Sequence, residues 1–142
     1  MIDVACFKLT VYACIYIIMD RKEIFEWVRE VYGVEPEYLW LDTPHHAVLR
    51  NPTSGKWFGI IMRVSGRVLG LRKTAEYEIL NVKCDPLFIG SLLQQEGFLP
   101  AYHMNKSNWI SILLSEGAVP SEQIKNLICI SYNMTEKKQR AK

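Results

Sequence analysis

The stretch YEILNVKCDP, residues 77–86, contains both kinds of element from which this fold is built. Residues 77–83 include aromatic and β-branched side chains, which is typical of a strand. Asp85 followed by Pro86 is a helix start, since Asp accepts a hydrogen bond from a free backbone N–H and Pro at the first helical position has none to leave unpaired. The stretch therefore predicts a strand that runs directly into a helix.

The same reasoning gives the order of elements along the chain. Residues 21–32 follow a capping box and predict a helix, and Pro120 and Ser121 lead into a last helix. Further strands are predicted at residues 47–50, 56–64 and 109–114, with residues 67–71 either a short strand or part of a hairpin loop and residues 98–107 a loop. Consecutive strands with short connections predict an α+β fold of order α-β-β-β(-β)-α-β-α, a mostly antiparallel sheet with helices packed on one face.

The length of 142 residues predicts one domain. We expect residues 1–18 to be an upstream extension that precedes a functional start at Met19, residues 19–135 to form the domain, and residues 136–142 to be a basic frayed tail. The apolar run at residues 9–19 is shorter than the roughly 20 residues of a membrane span. A signal peptide would need a small-residue cleavage site after its apolar core, and none precedes Met19-Asp20-Arg21-Lys22. A cytoplasmic protein without membrane association is therefore expected, with a weak signal peptide or anchor as the alternative.

Reactive side chains are few and scattered. Cys84 and Cys129 are predicted to be buried thiols in a reducing compartment, because the four cysteines do not form a dense framework. The three histidines are too dispersed to predict a metal site. No catalytic motif is present, so we expect no enzyme activity and no cofactor.

Positive charge is concentrated in the middle of the chain, although the net charge is only +2. Residues 50–83 contain seven basic side chains against two acidic ones. Such asymmetry can attract an anionic partner, although cations on strand edges and turns also prevent aggregation. The candidate phosphate contacts are Arg50, Lys56, Arg63, Arg67, Arg72, Lys73 and Lys83.

Alternation along the strands assigns side chains to the two faces of the sheet. The apolar sets predicted to lie under the helices are Phe58, Ile60, Met62 and Val64; Leu80, Val82 and Cys84; and Ile110, Ile112 and Leu114. The opposite face would carry Trp57, Tyr77, Asn81 and Trp109 beside cations. Left open, it would be a binding platform. In the alternative, the N-terminal segment or residues 34–46 cover these aromatics and make a second small core.

The loop AYHMNKSNW, residues 101–109, contains the densest group of binding side chains, namely His103, Asn105, Lys106 and Trp109. Loops are where binding residues collect. In the alternative, His103 and Asn105 satisfy backbone groups of the loop and Trp109 packs locally.

Several short motifs together resemble the MmcQ/YjbR family of small bacterial proteins. They are RKEIF at residues 21–25, AVLR at 47–50, KWF at 56–58, ILNVKCDP at 79–86, GFLPAYHMNK at 97–106 and WI at 109–110. The resemblance covers residues 19–135. It implies a frataxin-like (CyaY-like) fold and DNA binding with a double-wing mode of contact.

Three functions therefore follow as hypotheses. The first is a DNA-binding module that uses the seven basic residues. The second is a small-molecule binding or resistance protein, and the third is a protein-interaction adaptor. We expect a monomer or a weak dimer in each case.

Overall fold

A computed structural model describes residues 18–137, so the predicted extension, apart from Ile18, and most of the predicted tail lie outside the described residues. Within residues 18–137 there are three α-helices, five strands and one 3-10 turn. The helices are α1 (Arg21–Tyr32), α2 (Pro86–Leu93) and α3 (Ser121–Thr135), and the 3-10 turn is Ser115–Gly117. The strands are β1 (Ala47–Arg50), β2 (Trp57–Ser65), β3 (Glu76–Lys83), β4 (Phe98–Pro100) and β5 (Trp109–Leu113).

The helices begin where their capping residues predict. The side chain of Asp20 accepts a hydrogen bond from the backbone N–H of Glu23 at 2.9 Å, and Gly33 ends α1 in the left-handed conformation with φ of 66°. Asp85 accepts from the N–H of Leu87 at 2.9 Å and so starts α2. None of the described helices is long and apolar enough to cross a membrane.

The five strands form one antiparallel sheet in the order β1-β2-β3-β5-β4. β4 lies where a loop was predicted, and that prediction was wrong. The strand has three residues, one of them Pro100, so it lacks the length and composition by which a strand is recognised from sequence. Residues 66–70 form turns, which supports the hairpin-loop interpretation of residues 67–71.

The main core lies between the helices and one face of the sheet. Ile24 and Val28 of α1 and Ile124 and Ile128 of α3 pack in one cluster with the buried strand residues Leu49, Leu80, Val82, Ile110 and Ile112. Burial of this apolar surface is the main stabilising contribution to such a domain. An α+β fold with helices packed on one face of a mostly antiparallel sheet is therefore confirmed.

A β-bulge in β2 reverses the predicted faces of that strand. Leu49 is paired with Gly59 and Arg50 with Trp57, so Phe58 is an extra residue between the two pairs. An extra residue shifts the alternation by one position and sends every later side chain to the other face.

The prediction for β2 was therefore wrong beyond Phe58. Ile61 belongs to the core beneath the helices, whereas Ile60, Met62 and Val64 belong to a second cluster on the opposite face. The predictions for β3 and β5 are confirmed, because no bulge interrupts those strands.

The face of the sheet opposite the helices, called the helix-free side below, is covered rather than open. Its buried residues are Val48, Ile60, Met62, Val64, Tyr77, Ile79 and Leu113. Trp40 packs on them from the segment before β1, Leu69 and Leu71 from the hairpin loop (residues 66–75), and Tyr102 and Met104 from the cover loop (residues 101–108). The open platform was a wrong prediction, and a second small core is the correct interpretation.

Candidate nucleic-acid interface

Two of the residues predicted for a binding platform are buried. Tyr77 is 5% exposed and Asn81 is 0% exposed, so neither can contact a partner. Trp57 and Trp109 are half-buried, and the Trp57 ring packs edge-to-face on Trp40 with 5.9 Å between ring centroids. The assignment of Tyr77 and Asn81 to a ligand surface was wrong, because the two loops lie over them.

Asn81 instead fastens the cover loop to the sheet. Its side-chain NH₂ donates to the backbone carbonyl of Tyr102 at 2.9 Å, and its carbonyl oxygen accepts from the hydroxyl of Ser111. The N–H of Tyr102 in turn donates to the Ser111 hydroxyl oxygen at 3.0 Å. Sequence reasoning missed Ser111, although a polar residue that shares a face with Asn81 in the neighbouring strand is the signal of such a network.

The cover loop is ordered by its own polar groups. The Asn105 side-chain oxygen accepts from the N–H of Ser107 at 3.0 Å and from its hydroxyl at 2.7 Å. The Asn105 backbone carbonyl accepts from the N–H of Trp109 at 2.9 Å. Asn105 thus provides hydrogen-bond partners within the loop although it is itself exposed. His103, in the left-handed conformation with φ of 57°, and Lys106 are exposed as well.

The hairpin loop is compact as well. The N–H of Gly66 donates to the carbonyl of Ala75 at 2.9 Å, and the N–H of Leu71 donates to the carbonyl of Gly66 at 2.8 Å. Leu69 and Leu71 pack into the second core, while Arg67 and Arg72 are exposed. The fold of the loop therefore holds these two cations in solvent.

The seven predicted basic residues do not form one continuous surface. β2 has nine residues, and at about 3.3 Å per residue its ends lie roughly 26 Å apart. The group near the β1–β2 turn is Arg50, Lys56 and Lys83, and the group near the hairpin loop is Arg63, Arg67, Arg72 and Lys73. The seven basic residues, which all lie between positions 50 and 83 of the sequence, are thus divided between two ends of the sheet.

Three of the seven are engaged in ion pairs. Arg50 pairs with Glu37 at 2.9 Å, and Lys73 with Glu116 at 3.7 Å. Arg63 pairs with Glu78 at 3.3 Å, and the same carboxylate is 2.7 Å from Arg21. Among residues 18–137, no carboxylate lies within ion-pair distance of the remaining four or of Lys106. These four are Lys56, Arg67, Arg72 and Lys83.

A groove separates the hairpin loop from the cover loop. Its volume is about 190 Å³. Its lining is mostly apolar, with Lys106 the one charged residue, and consists of Val68, Leu69, Leu99, Pro100, Ala101, Tyr102 and Lys106. The two loops thus bound a recess on the helix-free side that has one cation in its lining.

Neither Cys84 nor Cys129 lines this groove. Cys84 is buried, as predicted. Burial is the main cause that raises the pKa of its thiol, and the negative charge of the nearby Asp85 carboxylate raises it further. Cys129 is only half-buried, contrary to the prediction, and accepts a hydrogen bond from the Tyr32 hydroxyl at 3.0 Å. The part of the chain that the structure describes has no cluster of three metal-binding side chains.

A five-stranded antiparallel sheet with helices on one face and two covering loops on the other defines the class of small α+β domain to be compared with known proteins. The sequence matches the model of the YjbR family over residues 29–134, and the chain belongs to that family. The resemblance found in the sequence motifs is thereby confirmed.

One curated relative and two solved structures are informative. The chain is 43% identical over 118 residues to the uncharacterized protein YyaQ of Bacillus subtilis (strain 168), covering 83% of this chain and 99% of the relative. A crystal structure of a Pseudomonas syringae protein has 30% identity and a TM-score of 0.80 over 83% of this chain and 100% of that one. A Deinococcus radiodurans crystal structure, at 20% identity and a TM-score of 0.65, covers 88% of this chain and 84% of its own and is similar in fold alone.

Proposed function

We propose that this protein binds DNA, without catalysing a reaction, through the hairpin loop and the cover loop on the helix-free side. Arg67, Arg72 and Lys106 are the phosphate contacts in this proposal. The observation that supports it is the exposure of these three cations, which have no carboxylate partner among residues 18–137. The two loops would act as the two wings that the family resemblance implies, on a frataxin-like fold.

The ion pairs favour these three cations over the other candidates. A cation that is already paired with a carboxylate must lose that interaction before it binds a phosphate, so Arg50, Arg63 and Lys73 are weaker candidates. Lys56 and Lys83 are unpaired but belong to the opposite end of the sheet. They would contact only a DNA segment that spans the helix-free side.

The hairpin loop and the cover loop are both held firmly to the sheet, and this also favours binding. Leu69 and Leu71 anchor the hairpin loop, and Asn81 and Ser111 anchor the cover loop. Little conformational entropy remains to be lost when such loops bind a partner. Preorganised cations on anchored loops are therefore suited to a phosphate backbone.

Fluorescence anisotropy with a labelled DNA duplex tests the proposal. Arg67→Ala/Arg72→Ala should weaken binding and lower the slope of log K against log salt by about 1.8, because each phosphate contact contributes about 0.9. The matched control for a single Arg67→Ala substitution is Lys22→Ala, which removes one exposed cation without an ion pair from α1 on the helix side. Absence of binding at low salt, or an equal loss in Arg67→Ala and Lys22→Ala, contradicts the proposal.

A protein-interaction adaptor is the second candidate, and exposed apolar residues of α2 favour it. Leu87 is 85% and Phe88 is 57% exposed. Addition of a partner strand is disfavoured at both sheet edges, because Glu37 already pairs with Val48 beside β1 and Pro100 interrupts β4. Sedimentation velocity of wild type and Leu87→Ser/Phe88→Ser tests self-association, and identical monomeric profiles would count against this second candidate.

A further inference from the structure

We infer that the groove between the hairpin loop and the cover loop takes an unpaired nucleobase, so that the preferred ligand is single-stranded DNA. This inference rests on the proposed function and makes its ligand more specific. The observation is an apolar recess directly beside unpaired cations. If the ligand contacted the protein through its phosphates alone, this recess would have no function in binding.

Val68 and Tyr102 provide the apolar surface of the groove. Val68 is 56% exposed, although it directly precedes the anchored Leu69, and it lines the groove together with the half-buried Tyr102. An exposed apolar surface rimmed by polar groups is typical of an interaction site. A nucleobase has flat apolar faces that stack on aromatic rings irrespective of its sequence.

The charges beside the groove suit the backbone of the same ligand. Lys106 lines the groove and Arg67 precedes Val68 in the chain. No acidic side chain is among the residues that line this recess. A single strand can therefore place one base in the groove while its adjoining phosphates contact the two cations.

The recess disfavours duplex DNA as its occupant. Bases in a duplex are stacked and paired, and they reach a recessed site only after they have been extruded from the helix. A single strand presents its bases without that penalty. The groove therefore favours single-stranded over duplex DNA, whereas the exposed cations contact both.

The structure keeps the Tyr102 side of the groove in place. The backbone N–H of Tyr102 donates to the Ser111 hydroxyl at 3.0 Å, and its carbonyl accepts from Asn81 at 2.9 Å. The ring centroid lies 4.1 Å from that of His103. The backbone that carries this ring is therefore fixed before a ligand arrives, which reduces the entropy lost on binding.

Anisotropy titrations with a labelled oligonucleotide, first single-stranded and then annealed to its complement, test the inference. Wild type should bind the single strand at least about fivefold more tightly than the duplex, the lower limit for stacking of one base. Val68→Ser should weaken single-strand binding roughly fivefold through lost apolar contact, with duplex binding unchanged. Arg67→Ala should weaken both.

Val31→Ser is the matched control, because Val31 lies on α1 and is 50% exposed. It should change neither affinity. Equal or tighter binding of the duplex, or a single-strand preference that survives in Val68→Ser, overturns the groove assignment while the DNA-binding proposal stands. Failure of wild type to bind either form at low salt overturns both.

Discussion

At the scale of single residues, Asn81 shows how a buried polar side chain can support an exposed site. It has no exposed surface, yet it bonds to the backbone of Tyr102 and to the hydroxyl of Ser111. A buried amide is stabilising only while its partners are present. Asn81 is therefore a positioning residue for the cover loop and not a ligand contact.

Replacing Asn81 with Ala should lower the free energy of unfolding by about 1–3 kcal/mol, since the carbonyl of Tyr102 loses its partner in the interior. Urea denaturation measures this change. Asn126→Ala is the control, because Asn126 is exposed on α3 and should have an effect near zero. Equal effects of the two substitutions would show that the network contributes nothing.

Tyr32 predicts how stability depends on pH. Burial, followed by the hydrogen bond to Cys129, raises the pKa of its hydroxyl. Above the ordinary tyrosine pKa of about 10 the unfolded chain loses this proton while the folded chain keeps it. The stabilisation that comes from the protonated Tyr32 hydroxyl is therefore complete below about pH 10, and the free energy of unfolding falls as the pH rises further.

Urea denaturation between about pH 8 and pH 11 tests this dependence. Tyr32→Phe should make the decline shallower than in wild type because the titrating group is gone. Tyr38→Phe removes a hydroxyl from an exposed tyrosine and should keep the wild-type slope. A Tyr32→Phe decline as steep as that of wild type would show that the tyrosine does not titrate differently in the two states.

At the scale of elements, the helix starts were predictable and the faces of β2 were not. The caps at Asp20 and Asp85 depend on residues two or three positions away, which the sequence displays directly. The bulge at Phe58 depends on how β1 aligns with β2, so it is a property of two segments together. Strict alternation therefore failed in the strand that contains the bulge and held in β3 and β5.

The hairpin loop depends on a close approach at Gly66. A Cβ atom there would lie 2.1 Å from the carbonyl oxygen of Lys73 and 2.6 Å from a carbon of the Tyr77 ring. A methyl group does not fit at these distances. Glycine is therefore required if the loop is to fold back on β3 and display Arg67 and Arg72.

Gly66→Ala should destabilise the protein by about 1–3 kcal/mol, as overpacking does elsewhere, and should weaken DNA binding because the loop moves. Chemical denaturation measures the first effect. Gly90→Ala is the control, since a Cβ atom at this position of α2 would meet no neighbouring side chain within 4 Å and alanine favours a helix by about 1 kcal/mol over glycine. A neutral Gly66→Ala would contradict the close packing of the loop.

At the scale of the whole molecule, the position of the candidate site could be predicted only in part. The cluster at residues 101–109 was found, and Lys106 remains exposed there. The second core could not be predicted, because Trp40, Leu69 and Tyr102 come from three separate segments that meet only in the folded chain. The basic residues were also found, but the length of β2 divides them between two ends of the sheet.

The two sides of the folded chain differ in how their cations are balanced. On the helix side, α1 carries three cations and three carboxylates, namely Arg21, Lys22, Arg29, Glu23, Glu26 and Glu30, whereas Arg67, Arg72 and Lys106 on the loops of the helix-free side have no carboxylate within ion-pair distance among residues 18–137. A nearly neutral protein can attract an anionic ligand to one side in this way. The central claim is therefore about which side of the molecule DNA contacts.

Backbone amide chemical shifts of ¹⁵N-labelled protein, recorded during addition of a single-stranded DNA oligonucleotide at low salt, test that claim most directly. We predict that the shift changes lie within residues 66–75 and 101–108, with α1 unaffected, and that they are reversed as salt is added. Changes confined to α1 and α3, or a spectrum that DNA does not alter at all, would contradict it.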